Sequence, residues 1–90
     1  MEFEWDSEKA AADERKHNVT FQEAASVFGD RLAITFADPD HSENEHRYLT
    51  FGLSKHNRLL VVSHTDRGDK TRIISARLMD CKERRIYEEG

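Results

Sequence analysis

Ninety residues, 37% hydrophobic and 36% charged, predict one globular domain over 1–90 with a thin core. The single cysteine, Cys81, excludes an internal disulfide scaffold, and no apolar run approaches the length of a membrane span. The start MEFEWDSEKA lacks the basic and apolar stretches of a signal peptide, so the expected location is the cytoplasm, with no membrane partner.

The net charge of −4 is unevenly spread. Residues 1–54 carry 5 Lys/Arg against 12 Asp/Glu, a net −7, whereas residues 55–85 carry 9 against 4, a net +5. A local field follows local charge, so a basic C-terminal half can face a phosphate chain although the whole is acidic. Solvated strands decorated with Lys and Arg account for the same numbers.

In chain order, residues 3–5 read as a short leading strand. Asp6 is the expected N-cap of a helix over Ser7–His17, with Arg15, Lys16 and His17 suited to its C-terminal dipole and Asn18 to a left-handed stop. Thr20 and Glu23 fit a capping box for a second helix that ends near Phe28, before Gly29. The loop around Pro39 separates this helical front from a strand-rich remainder. Strands are expected over Leu32–Phe36, Arg47–Ser54, Leu59–Thr65 and Thr71–Leu78, with turns at Lys55–Asn57 and Asp66–Asp69. Asp80 and Glu83 open a short last helix. Short links between successive strands favour an antiparallel meander, so the fold class is α+β: two N-terminal helices and a short C-terminal helix on a mainly antiparallel sheet.

Alternation assigns faces to that sheet. Leu49, Phe51, Leu53, Leu60, Val62, Ile74, Ala76 and Leu78 are expected to pack under the helices. Tyr48, Thr50, Ser63, Thr65, Ser75 and Arg77 form the other, polar face. Two readings fit such a face, a solvent surface or a shallow RNA platform on which Tyr48 contacts RNA.

No nucleophile elbow, phosphate-binding glycine loop or zinc-protease helix is present. Cys81 has no base at a telling spacing and reads as a packed thiol. Asp38, Asp40, His41 and His46 share a loop, but their spacing matches no tight metal pattern, so no metal and no cofactor is expected. The strongest constellation is His64, Arg67, Arg72 and Arg77, with Arg47 on a neighbouring strand. RNA cleavage without a metal needs a base for the 2′-hydroxyl, a cation for the phosphate and an acid for the leaving oxygen. The arginine fork suits the second role and histidine the first or third. Surface pairing with Asp66, Asp69 and Glu83 is the plain alternative. Lys16 and His17, ending the first helix, are a further candidate, as is Tyr87 on the last helix, which can stack a base or anchor the helix.

These residues resemble the BrnT family of bacterial toxins over almost the whole chain. The segments that carry the resemblance are Trp5-Asp6 with Lys9, Lys16-His17 with Val19 and Phe21, the RIISAR strand ending at Arg77, and the Glu83-Arg84-Arg85-x-Tyr87 helix. Asp13 and Asn18 depart from the expected pattern, where asparagine and glycine are looked for. The resemblance implies a RelE-like fold and a ribonuclease toxin of a type II pair, which cleaves mRNA without a metal and stops translation and growth. It also implies a BrnA-like ribbon-helix-helix antitoxin, in a 2:2 complex that binds operator DNA through the antitoxin. Carried over by position, it assigns chemistry to His64, Arg67 and Arg77, and RNA binding to Lys16, His17, Arg47 and Arg72, beside the Tyr48 of the polar face. An inactive toxin-like module that keeps antitoxin binding and operon control is the alternative.

Overall fold

The structure, a computed structural model, describes residues 1–38, 40 and 46–90. Local signals set the helix ends. Asp6 precedes α1 (Ser7–His17) in an extended conformation, and its carboxylate accepts from the amides of Glu8 at 2.8 Å and Lys9 at 3.3 Å. Asn18 closes α1 in the left-handed region, at φ 57° and ψ 37°. Thr20 caps α2 (Phe21–Ser26) by accepting from the Glu23 amide at 3.0 Å. The reciprocal half of the expected capping box is missing. The Glu23 carboxylate instead binds the Arg58 guanidinium and, at 2.6 Å, the Ser54 hydroxyl, both from a distant turn. Arg58 holds the Glu23 carboxyl below its usual range. A single 3-10 turn, Val27–Gly29, continues α2.

Five strands form one sheet: β1 (Glu2–Glu4), β2 (Ile34–Ala37), β3 (Arg47–Leu53), β4 (Leu59–Arg67) and β5 (Lys70–Leu78), in the order β1-β5-β4-β3-β2. β2 to β5 are the expected antiparallel meander, and β1 adds a short parallel edge with Phe3 opposite Thr71. β2 starts later than the sequence pattern predicts. Asp30 takes the Leu32 amide on its carboxylate at 3.0 Å and the Ala33 amide on its carbonyl at 3.2 Å, which holds residues 30–33 in a turn. After β5, Asp80 and Glu83 make a complete capping box for α3 (Cys81–Glu89). None of the described helices is long and apolar enough to cross a membrane.

The sheet is covered on both faces, and this overturns the expected division of its side chains. Val19, Phe21, Ala24 and Val27 pack with Leu60, Val62, Ile73 and Ala76 in the main core beneath α1 and α2. Phe51 and Val61 lie on the opposite face, in a second cluster with Met79, and Leu49, Leu59 and Tyr87 of α3 pack against it. Apolar residues on both sides of β3 and β4 therefore belong to two cores, which simple alternation cannot distinguish. Gly52, opposite Leu60, lies on the main-core side, where the 3-10 turn comes close. A Cβ on Gly52 would stand 2.6 Å from Val27 Cγ1. The expected place of Ile74 also fails. The β4–β5 register slips between Ser63 and His64, leaving Ile74 without a partner, so Ile73 and not Ile74 enters the main core. Leu78, expected to be packed, is half exposed.

Candidate nucleic-acid interface

The bulge at Ile74 and the crossing of α1 over β5 lie at a charged concavity. β1 ends opposite Arg72, and among the described residues no strand lies beside the outer edge of β5 beyond that point. α1 lies there instead. A hollow of about 550 Å³ opens between them, bordered by Lys9, Asp13, Lys16 and His17 from α1 and by Ile74, Ser75 and Arg77 from β5. A second hollow, of about 380 Å³, continues across the sheet from the same Ile74, Ser75 and Arg77 to Ser63, Leu49, Arg47, Asp38 and Asp40. Together they make one groove with Arg77 at its middle.

Arg77 is held in place by Glu83. Nη1 donates to Oε1 at 2.7 Å and Nη2 to Oε2 at 2.8 Å, a two-pronged pair between β5 and the first turn of α3. Arg77 lowers the Glu83 carboxyl below its usual range, and Glu83 in turn stabilises the guanidinium charge. The Arg77 side chain is still 42% exposed, so a ligand in the groove can reach it. Arg47 and Arg72 lie in one row on the same face, on either side of Thr65 in the cross-strand register. Arg72 Nη1 donates to Glu4 Oε2 at 2.8 Å. Asp13 is the buried residue of α1, and both of its oxygens receive the Ala76 amide, at 3.3 and 3.4 Å. Burial pushes its carboxyl above the usual range, opposed by the Ala76 amide and by the nearby charges of His17 and Lys16.

His64 and Tyr48 are elsewhere. Their positions face each other on the side of the sheet that α1 and α2 cover. His64 is 6% exposed, its ring lies edge-on to Phe28 at 4.8 Å and stacks on Tyr48 at 5.8 Å. Its Nε2 shares a 2.7 Å hydrogen bond with Thr50 Oγ1, which meets Thr35 Oγ1 at 2.8 Å. Burial lowers the His64 pKa, so the neutral imidazole is favoured. Arg67 is opposite Lys70 at the hairpin end, roughly 20 Å along β4 from the Val61 position that Arg77 faces. The structure thus gathers Lys16, His17, Arg47 and Arg77 about one groove, sets Arg72 on the same face, and leaves His64, Tyr48 and Arg67 outside the groove. Of the expected loop set, His41 lies outside the described residues.

The sequence from 5 to 83 matches a family model described as the ribonuclease toxin BrnT of type II toxin–antitoxin systems. The chain belongs to the BrnT toxin family. A similar solved structure is the crystal structure of the Brucella abortus ribonuclease toxin BrnT, at 18% identity and a TM-score of 0.66, covering 89% of this chain and 97% of that one. That likeness supports the BrnT fold, with three helices and a five-stranded, mostly antiparallel sheet. No curated protein sequence matches. Membership in a family of ribonuclease toxins implies an RNA substrate and an antitoxin partner for this BrnT chain.

Two groove residues, Lys9 and Asp13, carry no site role in the sequence pattern. Lys9 and Asp13 stand seven and three positions before Lys16, and a 3.6-residue period places all three on one helix face. That stripe was the available signal. It is masked by the conventional reading of Lys16 and His17 as ordinary helix-end cations.

Proposed function

We propose that this chain cuts RNA in the groove around Arg77 without a metal ion, and that loss of mRNA stops translation and growth until an antitoxin binds. The observation that carries this reading is the position of Arg77 between both hollows. A phosphate beside it would meet Lys16 and His17 on one side and Arg47 on the other. The charges of Lys16, Arg47 and Arg77 offset the charge that builds on phosphorus, and the arginine fork is shaped for two phosphate oxygens. In the step we assign, the 2′-oxygen attacks phosphorus while its proton passes to the His17 imidazole. The bond from phosphorus to the 5′-oxygen breaks, and the leaving oxygen takes a proton from the Lys16 ammonium. The products are a 2′,3′-cyclic phosphate and a free 5′-hydroxyl. Arg47 and Arg72 hold the strand. His64, sealed beneath Phe28, is a structural residue in this scheme, and Arg67 acts at most on distant parts of the RNA.

The partner in this reading is a BrnA-type antitoxin with a ribbon-helix-helix part, in a 2:2 complex that binds operator DNA. Support comes from the family, which is that of type II systems. Induced expression in bacteria, with and without the neighbouring gene, tests the reading through growth and RNA integrity. The purified chain is assayed with and without a chelator. Arrest with RNA cleavage that the neighbour cures and the chelator spares is the expected result. Normal growth and intact RNA despite folded protein would favour an inactive module that retains antitoxin binding.

A further inference from the structure

The outer edge of β5 presents a backbone donor where the sheet has run out of strands. β1 reaches only Arg72, and the Ala76 amide lies beyond it. A buried backbone N–H without an acceptor is costly, so something must receive it. The acceptor is the Asp13 carboxylate, 9% exposed and delivered from α1. Ala76 stands between Ser75 and Arg77, and Asp13 stands one helical turn before Lys16 and His17. This hydrogen bond ties the two walls of the groove together.

We propose that Asp13 is a positioning residue of the groove: by accepting the Ala76 amide it holds the last turn of α1, with Lys16 and His17, across from Arg77. The inference rests on reading that groove as the RNA-cutting site. Its basis is the hydrogen bond and not the charge. Any side chain that presents an oxygen at this reach performs the task, whereas one without an acceptor leaves Ala76 unpaired and lets the α1 turn drift. A displacement of about 1 Å at a catalytic group costs on the order of a hundredfold in rate.

The test compares Asp13→Asn with Asp13→Ala in the full-length protein. Both remove the negative charge, so any common change in KM for RNA comes from charge. The difference between them isolates the acceptor. We expect Asp13→Asn to keep the wild-type kcat and Asp13→Ala to lose about a hundredfold, at a temperature where circular dichroism shows both folded. Equal kcat in the two folded variants would overturn the proposal. If Asp13→Ala does not fold, Asp13→Ser, whose hydroxyl falls short of Ala76, takes its place under the same criterion. Hydrogen exchange at the Ala76 amide gives a readout independent of cleavage. It should be slow in the wild type and in Asp13→Asn and fast in the alanine or serine variant, with other β5 amides unchanged. Equal protection in all of them would overturn the pin even if the wild type proved inactive. An inactive wild type with the expected exchange pattern would remove the ribonuclease reading and leave the pin standing.

Discussion

Arg77 and Glu83 join strand β5 to helix α3 through two parallel hydrogen bonds of 2.7 and 2.8 Å, while Glu83 Oε1 also receives the Asp80 amide of the helix cap. The residue we place at the centre of RNA cleavage is therefore aimed by the device that starts the last helix. Arg77→Ala is expected to lower RNA cleavage by about a hundredfold, the usual cost of removing a charge-stabilising donor. Arg77→Lys keeps the charge but not the fork, and should recover only a part. Gel assays at saturating RNA check both.

Glu83→Gln keeps an oxygen for the Asp80 amide but loses the charged pair with Arg77, which should loosen Arg77 at a stability cost of about 1 kcal/mol. The sign of its pH dependence follows from the lowered Glu83 pKa. A depressed carboxyl stabilises the fold above its unfolded value of 4.5, and that contribution is lost as pH falls through the lower folded value. Thermal unfolding of wild type and Glu83→Gln should differ at pH 7 and converge in acid. A gap that persists in acid would separate Glu83 from this linkage.

His64 gives a second pH signature. Its folded pKa lies below the ordinary histidine value of 6.5 because the ring is buried, so the unfolded chain binds the proton more readily. Stability from this group is complete above pH 6.5 and falls as pH drops through the lower folded value. His64→Gln should flatten that part of the stability profile and still cleave RNA when folded. Loss of cleavage in a well-folded His64→Gln would return His64 to the chemistry.

Gly52→Ala should destabilise the protein by about 1–3 kcal/mol, the range for overpacking a core. The added methyl would sit 2.6 Å from Val27 Cγ1. Val27→Ala in the same chain removes that collision, so the double variant should lose less than the sum of the two single losses, measured by urea unfolding.

Tyr87 donates to Asp30 Oδ2 at 2.6 Å, and the Leu53 amide donates to the same oxygen at 2.8 Å. The Asp30 carboxylate pushes the Tyr87 pKa up to about 12. A spectrophotometric titration should show a tyrosine ionising there, and Tyr87→Phe should abolish it. The raised value means that the stability from this bond is complete below pH 10 and lost as pH rises through about 12. Tyr87→Phe should cost about 1 kcal/mol at neutral pH.

Much of the architecture is legible in short-range chemistry. Asp6, Asn18, Thr20 and the Asp80–Glu83 pair act within a turn of their own positions, so they read correctly without the fold. What depends on distant partners does not. Glu23 looks like the second half of a capping box but is claimed by Arg58 and Ser54. Thr50 looks like a polar-face residue but is buried against His64 in the main core. The bulge at Ile74 shifts the facing of β5 only from that residue back toward Lys70, and no local pattern marks it. For the groove, Arg47 and Arg77 were visible as basic strand residues. Their meeting with Lys16 and His17 requires α1 to cross the open end of β5.

The pairing of Glu2–Glu4 with Lys70–Arg72 has a consequence for biosynthesis. β1 has no place in the sheet until the far later β5 is made, and α1 cannot settle on β5 until then. Contacts so distant in sequence form slowly. Both walls of the groove come together only once β5 is present, so a copy stalled before β5 would carry Lys16 and His17 but no Arg77 to face them.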